Sequence, residues 1–203
     1  MSISAEDVKK LRDATGAGMM DCKKALSDAD GDFEKAKDIL REKGVASAKK
    51  MSERTATEGV VESYLHAPDP NLPAKVGVLV ELNCSTDFVA KTEGFRDLAR
   101  EIALHVAAAR PTVVSREDLP EDMVEREREF VAKQAEQEGK PPQVIEKIVE
   151  GRMKTFYAEH CLLDQPYVRD PDKTVGQLIE QLSATMKEPV KVRRFARFRV
   201  GAE

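Results

Sequence analysis

The chain has 203 residues, of which 41% are hydrophobic, 34% are charged and 5% are aromatic. This length suits one ordinary domain or two small ones, and high charge with few aromatic rings favours small cores and long polar helix faces over one thick sandwich. A net charge of −4 argues against a protein that binds nucleic acid by neutralising phosphates along its whole surface, which leaves only a local basic patch for such a role.

No membrane-spanning or secretory segment is expected. The longest apolar runs, such as residues 76 to 80, are too short to cross a bilayer, and the first residues lack the basic flank and apolar stretch of a secretory signal. The three cysteines, Cys22, Cys84 and Cys161, are odd in number and widely spaced, which indicates reduced thiols. These features together favour a cytoplasmic protein.

The first ~45 residues have the apolar spacing of three short helices. Ser4 can cap the first helix. Its buried side would carry Ile3, Val8 and Leu11. Residues 15 to 18 include two glycines and permit a tight reversal before a second helix from Met19 to Ala29. Because methionine fills gaps in small helical units, we expect either Met19 or Met20 to lie in the core.

A third helix is predicted from Phe33 to Lys43, with Asp32 as its cap. Gly44 stands in the usual C-terminal glycine position and is expected to end this helix. The small and polar residues 46 to 56 then read as a linker, so that a mini-domain of residues 1 to 45 is tethered to the rest of the chain.

The middle of the chain changes to the composition of β-strands. Segments rich in valine and leucine at 59–65 and 75–83 predict two strands, and residues 190–200 predict a third, so we expect a small antiparallel sheet. A helix from Glu93 to Ala109, stopped by Pro111, follows the second strand. The third strand carries four interspersed arginines, most simply read as edge-strand protection: Arg193, Arg194, Arg197 and Arg199.

Residues 115 to 157 predict two amphipathic helices joined as an antiparallel hairpin. Ser115 and Asp118 resemble a capping box at the start, and the Gly/Pro turn at 139–142 forces the reversal. The predicted apolar stripes are Met123, Val124, Phe130, Val131 and Ala135 in the first helix and Val144, Ile145, Ile148, Val149, Met153 and Phe156 in the second. The opposite faces are nearly all charged, which is typical of a solvated surface on a projecting arm. A last helix is predicted from Thr174 to Ala184.

Familiar catalytic and ligand-binding motifs do not occur in the sequence. The phosphate-binding loop is missing, since Gly139 and Lys140 are followed by Pro141, which has no backbone N–H to give to a phosphate. There are no paired metal-binding cysteines and no serine nucleophile elbow, and the three histidines are far apart in sequence. We therefore expect no catalytic residue, no metal and no cofactor.

Two long segments closely resemble the elongation factor Ts family, the exchange factors for elongation factor Tu. They are residues 11–26 (LRDATGAGMMDCKKAL) and residues 83–91 (NCSTDFVAK). Shorter matches lie at 105–108, 150–153 and 172–178, so the resemblance covers essentially the whole chain in order.

The resemblance implies an α+β fold. Residues 1–45 would form a ubiquitin-associated-like unit of three helices, and residues 57–114 with 158–203 would form the α+β core. Residues 115–157 would be a coiled-coil hairpin inserted in that core. In function it implies a guanine-nucleotide exchange factor, not an enzyme, that promotes GDP release and GTP loading on elongation factor Tu.

The resemblance also implies which residues touch the partner. Thr86, Asp87, Phe88 and Val89 match the loop that is pushed towards the partner's nucleotide and magnesium site. Further partner-contacting positions are Met20, Lys23, Val76, Gly77, His105 and Val168. Arg169 stands where the family has methionine, which puts the apolar contact there in doubt. Because the loop and the 105–108 segment share one short core, the chain is similar to members that self-associate, and a homodimer through the core is expected.

Other interpretations of the same residues stay open. Spacing alone favours Phe88 as a core residue at a strand end, His105 as a satisfied core histidine and Lys23 as a solvated lysine. A rival function is an RNA- or ribosome-binding adaptor that uses the arginines and the helical arm, although no direct nucleic-acid contact and no membrane contact are expected. A small enzyme with an unrecognised site is a third reading.

Overall fold

The structure is a computed structural model that describes residues 4–15, 17–52, 56–69 and 71–201. Ile3, Gly16 and residues 53–55 of the predicted linker lie outside these ranges. The helices are α1 (Ala5–Thr15), α2 (Met19–Asp28), α3 (Phe33–Ser52), α4 (Asp87–Ala90), α5 (Glu93–Ala109), α6 (Glu121–Gln137), α7 (Pro142–His160) and α8 (Val175–Met186). The strands are β1 (Glu58–His66), β2 (Val76–Cys84), β3 (Pro166–Tyr167), β4 (Asp170–Thr174) and β5 (Lys191–Arg199).

The first three helices pack around a small apolar core of their own. It consists of Val8, Leu11, Cys22, Ala25, Leu26, Ala29, Ala36 and Leu40. The prediction that one of two methionines lies in this core is wrong, since Met19 is 57% exposed and Met20 is 77% exposed. The stripe from Cys22 to Ala29 already fills the core side of α2, and both methionines stand in the first turn before that stripe begins.

Helix α3 is longer than the sequence pattern indicated. It continues through Gly44 to Ser52, so the prediction that Gly44 ends the helix is wrong. One interior glycine costs only about 1 kcal/mol relative to alanine, and the segment after Gly44 is rich in alanine, lysine and methionine, which favour helix. The cap was predicted correctly, because the backbone N–H of Lys35 donates to Oδ1 of Asp32 at 3.1 Å.

The main sheet consists of three antiparallel strands, as predicted, and the structure gives their order as β1-β2-β5. Helix α5 lies across one face of this sheet. Side chains from both elements build the largest core, among them Val78, Val80, Leu82, Phe95, Ile102 and Val106. In the described part of the chain, α4 and α5 contact the central strand, while Leu79 on the opposite face of that strand is 48% exposed.

The start of the arm differs from the prediction. Ser115 and Asp118 do form a reciprocal cap, but it closes a single 3-10 turn at Arg116–Asp118, and α6 begins only at Glu121. Leu119 is extended because it precedes Pro120, and this geometry interrupts the helix.

The arm itself is the predicted antiparallel hairpin of α6 and α7. Two helices bury only a narrow seam, so Val131 and Ala135 are buried while Phe130 is 64% exposed and Val144 is 41% exposed. The predicted stripes were therefore too broad at Phe130 and Val144. Over the residues that the structure covers, no helix combines the length and apolar character needed to cross a membrane.

Candidate functional site

A one-turn helix, α4, presents Phe88 to solvent between β2 and α5. The Phe88 side chain is 80% exposed, whereas Val89 and Ala90 in the same turn are buried in the main core. The interpretation of Phe88 as a core residue is therefore wrong. Val89 serves as the anchor beneath the turn and leaves little surface for the partner contact predicted there.

Asp87 lies beside Phe88 and pairs with Lys91 one helical turn later. Lys91 Nζ is 2.6 Å from Asp87 Oδ2, and both side chains are exposed. The hydrogen bond from Lys91 lowers the pKa of Asp87, and the same contact raises the pKa of Lys91. Asp87 is thus held as a carboxylate whose partner can be displaced, since an exposed pair of this kind is weak.

His105 is fully buried near the C-terminal end of α5. Its Nε2 lies 2.9 Å from Oε1 of Gln165, and its Nδ1 accepts a hydrogen bond from the backbone N–H of Val168 at 3.3 Å. These partners place the proton on Nε2, and burial lowers the pKa of His105 below 6.5. The geometry is that of a satisfied core histidine, so a direct contact with a partner remains a prediction that requires this turn to move.

Glu101 holds the turn that carries Val168. Its carboxylate accepts a hydrogen bond from the Tyr167 hydroxyl, and its Oε1 lies 3.0 Å from Nη1 of Arg169. Burial, helped by the bond to Glu101, raises the pKa of Tyr167 to about 12. Val168, 40% exposed, is left at the tip between two tethered neighbours. Arg169 is therefore drawn back towards α5 and does not extend the apolar surface of Val168.

The predicted partner-contacting residues fall at three separate places. Met20 and Lys23 are exposed on α2 of the three-helix unit. From Glu93 to His105, α5 advances about 18 Å, so Phe88 and Val168 lie towards opposite ends of this helix. Arg197, which pairs with Val78, donates to the carbonyl oxygen of Ala107 at 3.3 Å, which places the start of β2 at the His105 end. That end also holds the half-buried positions Val76 and Gly77.

The uncovered face of the main sheet is an apolar surface that the sequence reasoning did not identify. We call it the outer sheet face, and its exposed members are Val61 (68%), Leu65 (71%), Leu79 (48%) and Phe198 (71%). A solvated sheet face normally alternates to polar residues, and apolar patches of this kind mark interaction surfaces. The sequence contains a sign of this surface, because β1 and β2 carry apolar residues at both odd and even positions and so on both faces of the sheet.

A groove of about 520 Å³ runs along the arm, away from these surfaces. Its lining includes the apolar Ile145, Val149 and Met153, and also Arg116, whose guanidinium lies 4.5 Å from the centroid of the Tyr157 ring. Within the described part of the chain, no group of three or more His, Cys, Asp or Glu side chains is arranged to hold a metal ion.

Comparison with known proteins connects this geometry to a family. Residues 6–202 match the model of the protein family described as "Elongation factor TS". Elongation factor Ts of Caldanaerobacter subterraneus subsp. tengcongensis is 55% identical over 199 residues, which cover 98% of this chain and 97% of that protein. Elongation factor Ts of Thermodesulfovibrio yellowstonii is 51% identical over 201 residues, which cover 99% and 98% of the two chains. Matches of this extent class the chain with the protein elongation factors. It belongs to the elongation factor Ts family.

Proposed function

We propose that this protein is a guanine-nucleotide exchange factor for elongation factor Tu and has no catalytic site of its own. In the cytoplasm it binds the GDP form of the partner, disturbs the nucleotide and magnesium site, and promotes GDP release and GTP loading during translation elongation. The observation that carries the proposal is the Phe88 ring, 80% exposed on a turn whose underside is buried in the core.

The barrier to GDP release determines how much free energy the contacts between the factor and its partner must supply. A GTPase that holds GDP at about nanomolar affinity, with an association rate of roughly 10⁶ M⁻¹s⁻¹, releases it at roughly 10⁻³ s⁻¹. Accelerating that step about 10⁴-fold means lowering the barrier by roughly 5.5 kcal/mol. Only contacts that are better in the GDP-loose state contribute, and by reciprocity GDP weakens binding of the factor by the same ratio.

Phe88 alone supplies part of this energy. Burying one such ring in an apolar seam of the partner contributes about 1.5–3 kcal/mol. Asp87 competes electrostatically for groups around the magnesium ion once the partner displaces Lys91. The remainder comes from contacts outside the loop, for which Met20, Lys23, Val76, Gly77 and Val168 are the proposed positions.

We further propose that the protein works as a homodimer joined through the outer sheet face. Four large apolar side chains stand exposed there on a sheet whose other face is already packed. A second copy of the same face is the natural occupant, because a two-fold interface joins a surface to itself. Glu81 and Arg194, 2.7 Å apart on neighbouring strands, satisfy each other beside this surface.

The rival adaptor function is less well supported by the arginines of β5. Arg194 is engaged with Glu81, and both Nε and Nη2 of Arg197 lie 3.3 Å from the carbonyl oxygen of Ala107. Two of the four arginines are thus already used within the fold, which weakens the basic surface that phosphate neutralisation needs.

The discriminating experiment mixes the protein with elongation factor Tu that carries fluorescent GDP and excess unlabelled nucleotide. The exchange function predicts that fluorescence falls faster as the factor concentration rises, and that it reaches a plateau rate. If GDP release keeps its intrinsic rate while the protein retains RNA on a filter in a steeply salt-dependent way, the adaptor function replaces the proposal.

A further inference from the structure

We infer that Glu188 is the positioning residue that fixes the 86–89 loop in its exchange-ready geometry, an inference that rests on the proposed function. Glu188 lies between α8 and β5, 102 residues after Thr86 in the chain. Its Oε2 accepts a hydrogen bond from the backbone N–H of Thr86 at 3.1 Å, and its Oε1 accepts one from the Thr86 hydroxyl at 2.8 Å. One carboxylate therefore holds both donors of the residue that precedes α4.

The Thr86 side chain bonds to a residue outside α4 and does not cap that helix. In two other helices of this chain the threonine before the first turn caps that turn: Thr92 accepts from the N–H of Phe95 at 3.4 Å, and Thr174 accepts from the N–H of Gln177 at 3.2 Å. The Thr86 hydroxyl instead points to Glu188. A helix of four residues has little stability of its own, so its direction depends on such external anchors.

We call the contact between Glu188 and Thr86 the clamp, and further contacts hold the backbone on both sides of it. Lys187 ends α8 with a left-handed backbone, φ 56°, and the hydroxyl of Ser183 donates to the carbonyl oxygen of Glu188 at 2.6 Å. Pro189 and Val190 after it are buried. On the loop side, the Cys84 thiol donates to the carbonyl oxygen of Thr86 at 3.1 Å.

Because Thr86 is fixed, the loop already holds Phe88 in the conformation that contacts the partner. A loosened loop has to be ordered on binding, which reduces stabilisation of the GDP-loose state. The three-helix unit and the Val168 end would still support the first encounter. We therefore expect loss of the clamp to lower the plateau rate of GDP release more than it changes the concentration that gives half of this rate.

The test compares Glu188→Gln with Glu180→Gln, a matched change at an exposed glutamate of the same helix region. An amide keeps the size of the side chain but removes the negative charge, so the two hydrogen bonds from Thr86 lose their charged acceptor. Hydrogen exchange followed by mass spectrometry should show faster exchange across residues 85–91 in Glu188→Gln only. The plateau rate should fall about tenfold, the size expected for losing one hydrogen bond to a charged group. If Glu188→Gln does not fold, Thr86→Val carries the test, because it keeps the shape of the side chain but removes the hydroxyl that donates to Glu188. Its plateau rate should fall and residues 85–91 should exchange faster, and a wild-type rate with wild-type exchange would overturn the clamp.

A second background separates this inference from the function on which it rests. In Phe88→Ala protein, the added Glu188→Gln change should produce a smaller loss of rate than it does in wild type, because much of the effect of the clamp acts through Phe88. A wild-type plateau rate in Glu188→Gln, together with a slow Phe88→Ala variant, would overturn the clamp and leave the exchange function standing. A wild-type rate in Phe88→Ala itself would remove the proposed function of the loop, whatever Glu188 does.

Discussion

The backbone N–H of Val168 donates a hydrogen bond to Nδ1 of the buried His105, 3.3 Å away. The other ring nitrogen faces Oε1 of Gln165 at 2.9 Å, so both nitrogens have hydrogen-bond partners. One neutral ring thus ties the exposed turn that carries Val168 to helix α5. His105 thus holds the backbone of Val168, one of the positions proposed to contact elongation factor Tu.

Replacing His105 by leucine should destabilise the fold. The change leaves Oε1 of the buried Gln165 without the ring, which costs about 1–3 kcal/mol, and it also removes the acceptor of the part-buried N–H of Val168. Urea denaturation monitored by circular dichroism measures the change in the free energy of unfolding. The control is His66→Gln at an exposed position, expected within about 0.5 kcal/mol of wild type. Equal stability of His105→Leu and wild type would show that these hydrogen bonds contribute nothing.

The same histidine should make stability depend on pH. Burial lowers the pKa of His105 below 6.5, so as the pH falls through 6.5 the unfolded chain takes up a proton that the folded chain refuses. The contribution of neutral His105 to the free energy of unfolding is complete above pH 6.5. Below pH 6.5 it declines by at most about 1.4 kcal/mol per pH unit until the lowered pKa of the folded state is reached. Unfolding free energies between pH 7.5 and 5.5 should therefore fall more steeply for wild type than for His105→Gln. Parallel curves for the two proteins would contradict this.

Two glycines should respond to alanine in opposite directions. A Cβ at Gly59 in β1 would lie 2.1 Å from the carbonyl oxygen of Leu82 on β2, so Gly59→Ala forces the strands apart and should cost about 1–3 kcal/mol. A Cβ at Gly151 in α7 meets nothing within 4 Å, and Gly151→Ala should stabilise the arm by about 0.5–1 kcal/mol. Thermal unfolding of both variants checks the sign of each effect. A Gly59→Ala protein as stable as wild type would mean that β1 and β2 are not in this register.

The helix and strand positions were largely predictable because their local signals are strong. The predicted range of helix α5, about Glu93 to Ala109, agrees with the structure, in which Thr92 caps a helix of seventeen residues. The β3–β4 hairpin was missed because it is short, polar and contains prolines, without the alternation that marks a strand. The extension of α3 was missed because a glycine was weighted above the helix formers that follow it.

The candidate site could be predicted from the sequence only in part. Spacing alone favoured burial of Phe88, and only the resemblance indicated exposure, because local pattern does not show which residue of a short turn faces the core. Nothing in the sequence relates Thr86 to Glu188, 102 residues away, since that contact exists only after α8 and β5 have packed. The apolar residues of the outer sheet face could be seen in the sequence. Which of them are exposed could not be predicted without knowing which face of the sheet α5 covers.

A charge in the outer sheet face should abolish self-association. Leu79 is 48% exposed on the central strand, and Leu79→Lys would place an unpaired charge in an apolar interface, which is unfavourable. Sedimentation velocity should show a dimer for wild type and a monomer for Leu79→Lys. The matched control is Leu72→Lys in the loop between β1 and β2, where the side chain is 54% exposed and dimerisation should persist. A monomeric wild type, or a dimeric Leu79→Lys, would rule out this interface.

The most direct test of the central claim is the rate at which Phe88→Ala protein releases fluorescent GDP from elongation factor Tu in a stopped-flow experiment. Loss of a ring contact worth about 1.5–3 kcal/mol should slow the plateau rate by about 10- to 150-fold. The thermal unfolding midpoint should not change, because the ring is 80% exposed. Phe130→Ala, at a ring 64% exposed on the arm, should exchange like wild type. A Phe88→Ala rate equal to that of wild type would contradict the account.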